Sequence, residues 1–163
     1  MNSEKTLFHT IEPVYDKNST VLILGSFPSV KSREQCFFYG HKQNRFWRVT
    51  AAVFGEDTPE TVADKKAFLL RNHIALWDVI KQCEITGSSD SSIKNAVPND
   101  INRILKAAKI KAVFTNGKTA DKYFKKYIEP ALNIKAICLP STSPANAAYD
   151  VKRLVNEWIK IKM

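Results

Sequence analysis

The sequence predicts an α/β fold, a three-layer α/β/α sandwich around a four-stranded parallel central sheet. Four short β-rich runs, "TVLIL" (20–24), "HIALW" (73–77), "IKAVFT" (110–115) and "IKAICL" (134–139), are each bounded by polar or turn residues. Helical patterns separate them, and strands that alternate with helices pair in parallel through right-handed crossovers. The scale agrees. With 163 residues, 44% of them apolar, and only 5 glycines and 7 prolines, the chain can bury one continuous core, read as a single domain over 1–163.

The elements follow in order. After the first run a helix is expected from about Asn44 to Phe54. Thr58-Pro59-Glu60 opens the next, with Thr as cap, Pro in the first turn and Glu favoured at the positive end. The stretch "ITGSSDSSIKNAVPND" (85–100) reads as the longest loop and a mobile one. Beyond it, Ile101, Ile104, Leu105 and Ala108 share one helical face after Asn99-Asp100, and "KTADKYFKKYI" continues the alternation. In "PANAAYDVKRLVNEWIKI" the residues Ala148, Val151, Leu154, Val155, Trp158 and Ile159 keep the 3.6 period, and Ser143 before Pro144 supplies a cap and first-turn pair.

Composition narrows the function. No apolar run approaches the roughly 20 residues of a membrane span, and the start "MNSEKTLFHTIEPVYDKNST" lacks the basic-then-apolar order of a secretory signal, so a cytoplasmic protein is expected. Cys36, Cys83 and Cys138 lack zinc-site spacing, which leaves free thiols, no metal and no cofactor as the expectation. A net charge of +9 favours a polyanionic partner through phosphate contact and counterion release, although a lysine-rich surface alone gives the same count.

Ligands of open parallel sheets bind beyond the carboxyl ends of the strands. That rule selects four loops: 25–43, Asp78 onward, Asn116-Gly117, and 140–146. The first is far longer than an ordinary connection and crowds Phe37, Phe38 and Tyr39 beside Gly40-His41-Lys42-Gln43-Asn44. Rings that stack and amides such as Asn44 and Asn116 that read an edge suit a flat heterocycle. With the basic surface, and a helix start at Ser143-Pro144 to meet phosphate, the parts suit an enzyme acting on a base extruded from DNA. Each has a plainer reading: Asn44 as a helix cap, Asp78 as another, the aromatics as core, His41 as a surface histidine.

The blocks "LILGSFPS", "FFYGHKQNRFW", "LWDV", "GSSDSSI", "TNG" and "LPSTSPAN", in this order, resemble the hypoxanthine-DNA glycosylase group of the uracil-DNA glycosylase superfamily over roughly Pro13 to Trp158. The resemblance implies a four-stranded α/β/α fold and removal of a deaminated base from double-stranded DNA by a monomer. The third residue of the superfamily's Gly-x-(Asp/Asn)-Pro motif, which positions the attacking water, is Phe27 here. In the hypoxanthine group the catalytic amide lies in Gly-His-x-x-Asn, which lands on Asn44, expected to orient water through its carbonyl oxygen. Leu139 replaces the histidine of the better-known uracil enzymes, which argues against fast uracil excision.

By the same comparison Gly25, Ser26, Phe27, Asp78 and Asn116 line the base site, and Tyr39 or Phe38 stacks on the base. Asp78 either reads the N1–H of hypoxanthine or binds water. Pro28, Ser29 and His41 face DNA, Ser141 and Thr142 pinch phosphate, and Ser143, Pro144, Ala145 and Asn146 form a wedge. Three other functions stay in view: a mismatch-type uracil glycosylase, a non-catalytic nucleic-acid-binding module, and a nucleotide-binding regulator. The last is disfavoured because no glycine-rich phosphate loop follows a strand.

Overall fold

The computed structural model describes residues 5–163, so the first four residues of the start read above lie outside it. In chain order the elements are β1 (Lys5–Phe8), β2 (Val21–Gly25), α1 (Val30–Gln35), α2 (Phe46–Phe54), α3 (Val62–Arg71), β3 (Ile74–Asp78), β4 (Ile80–Ile85), β5 (Lys94–Pro98), α4 (Asn102–Ala107), β6 (Ala112–Asn116), α5 (Lys118–Tyr123), α6 (Glu129–Leu132), β7 (Ile137–Leu139) and α7 (Val151–Trp158). A π-helical turn over Phe124–Ile128 joins α5 to α6.

The four expected strands form one parallel sheet in the order β3-β2-β6-β7. Every residue of β2 and β3 is buried: β2 is a central strand covered on both faces, and the edge strand β3 is covered along its free side by the segment at Val14, which bridges Leu76. The core gathers these strands with Phe46 and Val49 of α2, Phe68 and Leu69 of α3, Phe124, and Leu154 and Trp158 of α7. Among the described residues no helix is long and apolar enough to cross a membrane.

Three expectations are corrected. The 85–100 stretch is not one long loop: β4 and β5 pair antiparallel with each other, and β1 pairs with β4, making a second, three-stranded sheet. The register between β4 and β5 shifts twice, so the strict alternation that would mark half-buried strands is blurred. The cap of α3 is Thr61, whose hydroxyl accepts from Asp64 N at 3.0 Å, rather than Thr58. The last helix starts at Val151, capped by Asp150, whose carboxylate accepts from Arg153 N at 2.8 Å.

Ser143 is therefore not the cap of α7, and the expected helix terminus at Ser143-Pro144 is absent. The reason is Arg45. Its guanidinium donates to the carbonyl oxygens of Ser143 (2.7 Å), Asn146 (3.1 Å) and Tyr149. In a helix starting at Pro144 these oxygens would accept from residues four further on. Held by Arg45, they keep residues 143–149 as a run of turns.

Candidate active site

Beyond the carboxyl ends of the parallel strands lies a cavity of about 320 Å³, lined by residues from all four selected loops. Gly25 ends β2 and Ser26 to Ser29 follow it, Asp78 ends β3, Asn116 ends β6, and Ser141 to Ala145 follow β7. Phe38, Tyr39, His41 and Asn44 enter from the long connection before α2. Two further polar residues, Ser88 and Asp90, come from the connection between β4 and β5.

One hydrogen-bonded chain fixes the amide of Asn44. Thr142 N donates to Asn116 Oδ1 at 3.0 Å, so the other side of that amide, Nδ2, is the donor to Thr142 Oγ1, also at 3.0 Å. The threonine hydroxyl then donates to Asn44 Oδ1 at 2.9 Å, which also accepts Phe46 N at 2.9 Å. A backbone N–H at each end can only donate, and these two donors set the polarity of every link between them. Both lone pairs of Asn44 Oδ1 are thereby occupied, so the oxygen expected to orient water is committed elsewhere. Its Nδ2 is the edge with no hydrogen-bond partner among the described residues.

The same contacts revise neighbouring assignments. Asn44 serves the first turn of α2 as its plainer reading proposed, though one residue before the N-cap Arg45. Asn116 spends Oδ1 and one of its two N–H groups on Thr142, which leaves the second N–H as its only donor toward the cavity. Thr142 is fully buried, so its hydroxyl is not offered to phosphate. Ser141, by contrast, is half-buried, and Pro144 and Ala145 stand exposed at the rim. Ser141 Oγ accepts from Ser143 N and Ser143 Oγ from Ala145 N, while Asn146 Nδ2 donates to Ser141 O, so the segment is a folded ridge.

The other wall is aromatic and acidic. Phe38 is only 2% exposed and packs edge-on against Phe37, while Tyr39 stacks on Phe46 with ring centroids 4.2 Å apart. Phe27, in place of the usual acid, packs in a T against His9 and lies under the Arg33 guanidinium. Asp78 is followed by β4 and caps no helix. Its Oδ2 meets His9 Nε2 at 2.8 Å, and the His9 side chain is 1% exposed. Asp90 Oδ1 accepts from Ser26 Oγ at 3.0 Å. Burial raises the pKa of Asp90, the Ser26 hydroxyl opposes the rise, and the charge of Asp78 adds to it.

A family profile described as the uracil DNA glycosylase superfamily matches residues 12–160. The chain belongs to that superfamily. Similar proteins include a hypoxanthine DNA glycosylase of Methanosarcina acetivorans, 35% identical over 150 residues that cover 89% of this chain and 91% of the relative. Another, of the same description, from Methanosarcina barkeri is 38% identical over 137 residues, or 82% and 85% of the two chains. A solution NMR structure from Methanosarcina acetivorans, provisionally described as a uracil DNA glycosylase, superposes with a TM-score of 0.77 at 29% identity over 94% of this chain and 97% of that one. The protein is a DNA glycosylase, an N-glycosyl hydrolase of DNA repair, and DNA is its substrate.

Within this glycosylase fold, sequence reasoning missed His9, Arg45 and Asp90. His9 sits where no site loop was sought, just past a strand outside the parallel sheet. Arg45 is hidden inside the "GHKQNRFW" block, where Asn44 drew the attention. Asp90 was inside the quoted "GSSDSSI" block, and that acidic residue among hydroxyls was the available signal. Among the described residues no group of three or more His, Cys, Asp or Glu side chains is placed to hold a metal ion.

Proposed function

We propose that the protein removes hypoxanthine from deoxyinosine in duplex DNA and leaves an abasic site, acting as a monofunctional monomer without a cofactor. The observation that carries the substrate class is the similarity, over most of both chains, to two relatives named hypoxanthine DNA glycosylase. The cavity supports it, because a base extruded from the helix needs a pocket with polar groups along its wall, and the net charge of +9 favours the phosphates of DNA.

The chemistry divides between two sides. When the glycosidic bond breaks, its electron pair leaves with the base, and negative charge builds there while the sugar becomes cationic. Asn44, with its oxygen tied down, offers N–H donors, and such donors stabilise a departing anion rather than draw a proton from water. The water that bonds to C1′ must lose a proton. Asp90, a carboxylate on the cavity wall with one oxygen held by Ser26 and a raised pKa, is suited to take it. The ridge Ser143–Asn146, with Pro28, Ser29, His41 and Ser141 beside it, faces the DNA strand from which the nucleotide is drawn.

Purified protein incubated with duplexes containing one deoxyinosine, deoxyuridine or deoxyxanthosine, scored for alkali-labile breaks, tests the reading. Breaks at deoxyinosine that disappear with Asn44→Ala in a folded variant are the expected result. Breaks chiefly at deoxyuridine opposite guanine move the substrate to uracil. Salt-sensitive binding with no break at any site leaves a nucleic-acid-binding module.

A further inference from the structure

Two side-chain atoms in the described residues beside Asp78 are buried without a hydrogen-bond partner: the hydroxyl of Tyr39 and Nδ1 of His9. An unpaired buried polar group costs about 1–3 kcal/mol, so two flanking one carboxylate call for an explanation in function. Gly25 shows how close the first of them stands to Asp78. A Cβ on Gly25 would overlap Asp78 Oδ1 and come within 2.9 Å of the Tyr39 hydroxyl, so both atoms lie against the same bare Cα.

The roles of these atoms are fixed by their surroundings. Asp78 Oδ2 is taken by His9, so Oδ1 is the acceptor left to the cavity. Burial and the neighbouring Asp78 charge hold the Tyr39 phenol well above its ordinary pKa, with the Asn116 amide opposing, so it keeps its proton and can donate. One face of the Tyr39 ring is already covered by Phe46. Its hydroxyl tip lies on the Asp78 side, where the phenol and the carboxylate can share one ligand.

We infer that Asp78 Oδ1 and the Tyr39 hydroxyl form an acceptor–donor pair that reads the lactam edge of an extruded base, with His9 as the positioning residue that fixes the carboxylate. The inference rests on the proposed glycosylase reading. Deamination turns the N and NH2 of adenine or cytosine into N–H and C=O, reversing the hydrogen-bond polarity of that edge. Asp78 accepts the N–H, the phenol donates to the C=O, and the unaltered parents present acceptor to acceptor at Asp78. Hypoxanthine and uracil share the edge. Guanine and thymine share it too, so their exclusion falls to the 2-amino and 5-methyl groups and the shape of the cavity.

His9 is held for this task by the small sheet. It follows β1, donates its backbone N–H to Lys81 O at 2.7 Å, and is boxed by Phe27, Phe38 and Trp77 with centroids 6.1–6.2 Å away. Asn99 braces the other side: its Nδ2 donates to the carbonyls of Asp78 (2.9 Å) and Ile80 (3.2 Å).

Single-turnover excision from deoxyinosine and deoxyuridine duplexes by the wild type, Tyr39→Phe, Asp78→Asn, His9→Gln and His9→Phe, each checked for its melting temperature, tests the pair. Tyr39→Phe is expected to slow release of hypoxanthine on the order of 10- to 100-fold, and Asp78→Asn at least as much. His9→Gln, which keeps a donor to Oδ2, should retain more activity than His9→Phe at equal melting temperature. Full hypoxanthine release by folded Tyr39→Phe and Asp78→Asn would overturn the pair and leave the glycosylase reading standing. A wild type active only on deoxyuridine, and slowed by the same substitutions, would overturn the hypoxanthine assignment and support the pair. A folded wild type that releases neither base overturns both.

Discussion

Thr142 fixes the Asn44 amide through one hydroxyl that accepts from Asn116 and donates to Asn44. Thr142→Val keeps the shape and the backbone bond to Asn116 but removes both of these links. The Asn44 amide then keeps only the Phe46 N–H on its oxygen and is held less firmly, and excision should fall about 10- to 100-fold with substrate binding little changed. Thr142→Ser should retain most of the rate, and a Val variant as fast as wild type would remove the chain from the mechanism. Asp90 makes a different prediction, because its pKa is raised mainly by burial. A group with a raised folded pKa contributes its full stability below the unfolded pKa and loses it as pH rises through the folded pKa. Asp90→Asn, which never ionises, should therefore melt higher than wild type at neutral pH, with the gap closing in acid. Asp90 lies in an exposed turn at the cavity wall, and solvent screening keeps the gap small. The same variant should lose excision, and thermal melts at pH 4 and pH 8 beside a rate assay separate the two effects.

Arg45 acts on a whole element. It joins the start of α2 to the 142–149 ridge, with its backbone N and Nε on Thr142 O at 3.0 and 3.3 Å and its remaining donors on three further carbonyls. A planar fork of donors fits such a cluster, and a lysine cannot replace it. Arg45→Met should destabilise the protein by about 1.5–3 kcal/mol and expose the ridge to proteolysis between Ser143 and Tyr149; Arg45→Lys should be nearly as damaging. Unaltered cleavage of the ridge in Arg45→Met would show that its turns hold without the guanidinium. This residue also explains what the sequence left illegible. The parallel strands were readable because each is a short apolar run, and the four site loops follow from the strand ends alone. The α7 start was misplaced because Ser143-Pro144 is a valid local cap signal, overridden by a side chain about a hundred positions earlier. β1 escaped notice because it is short and Phe8 remains exposed, and β5 because Val97 remains exposed and its bulged pairing with β4 breaks the alternation. Asn44 was legible as a site residue through its motif, but the direction of its amide depends on Thr142 and Asn116, which meet it only in the folded chain.

At the scale of the whole molecule the two sheets divide the work. The parallel sheet presents Gly25, Asp78 and Asn116 at its strand ends, while the small antiparallel sheet sets His9 against Asp78 and brings the Asp90 connection to the wall of the same cavity. The site itself is acidic, with Asp78 and Asp90 inside it, yet the chain carries 25 Lys and Arg against 16 Asp and Glu. That contrast separates two steps of the reaction. On the proposed function, phosphates are drawn by the net positive charge, while the carboxylates meet the neutral base and the sugar that becomes cationic. Binding should then depend steeply on salt and chemistry should not. Raising salt from about 50 to 200 mM is expected to weaken duplex affinity on the order of 10³-fold or more if about six or more phosphates are contacted. The single-turnover rate at saturating protein should change little over the same range. Fluorescence anisotropy with an undamaged duplex, set beside excision rates at several protein concentrations, measures the two separately. A flat affinity would reduce the charge to a matter of solubility, and a rate that falls with salt at saturation would mean that phosphate contacts also stabilise the transition state.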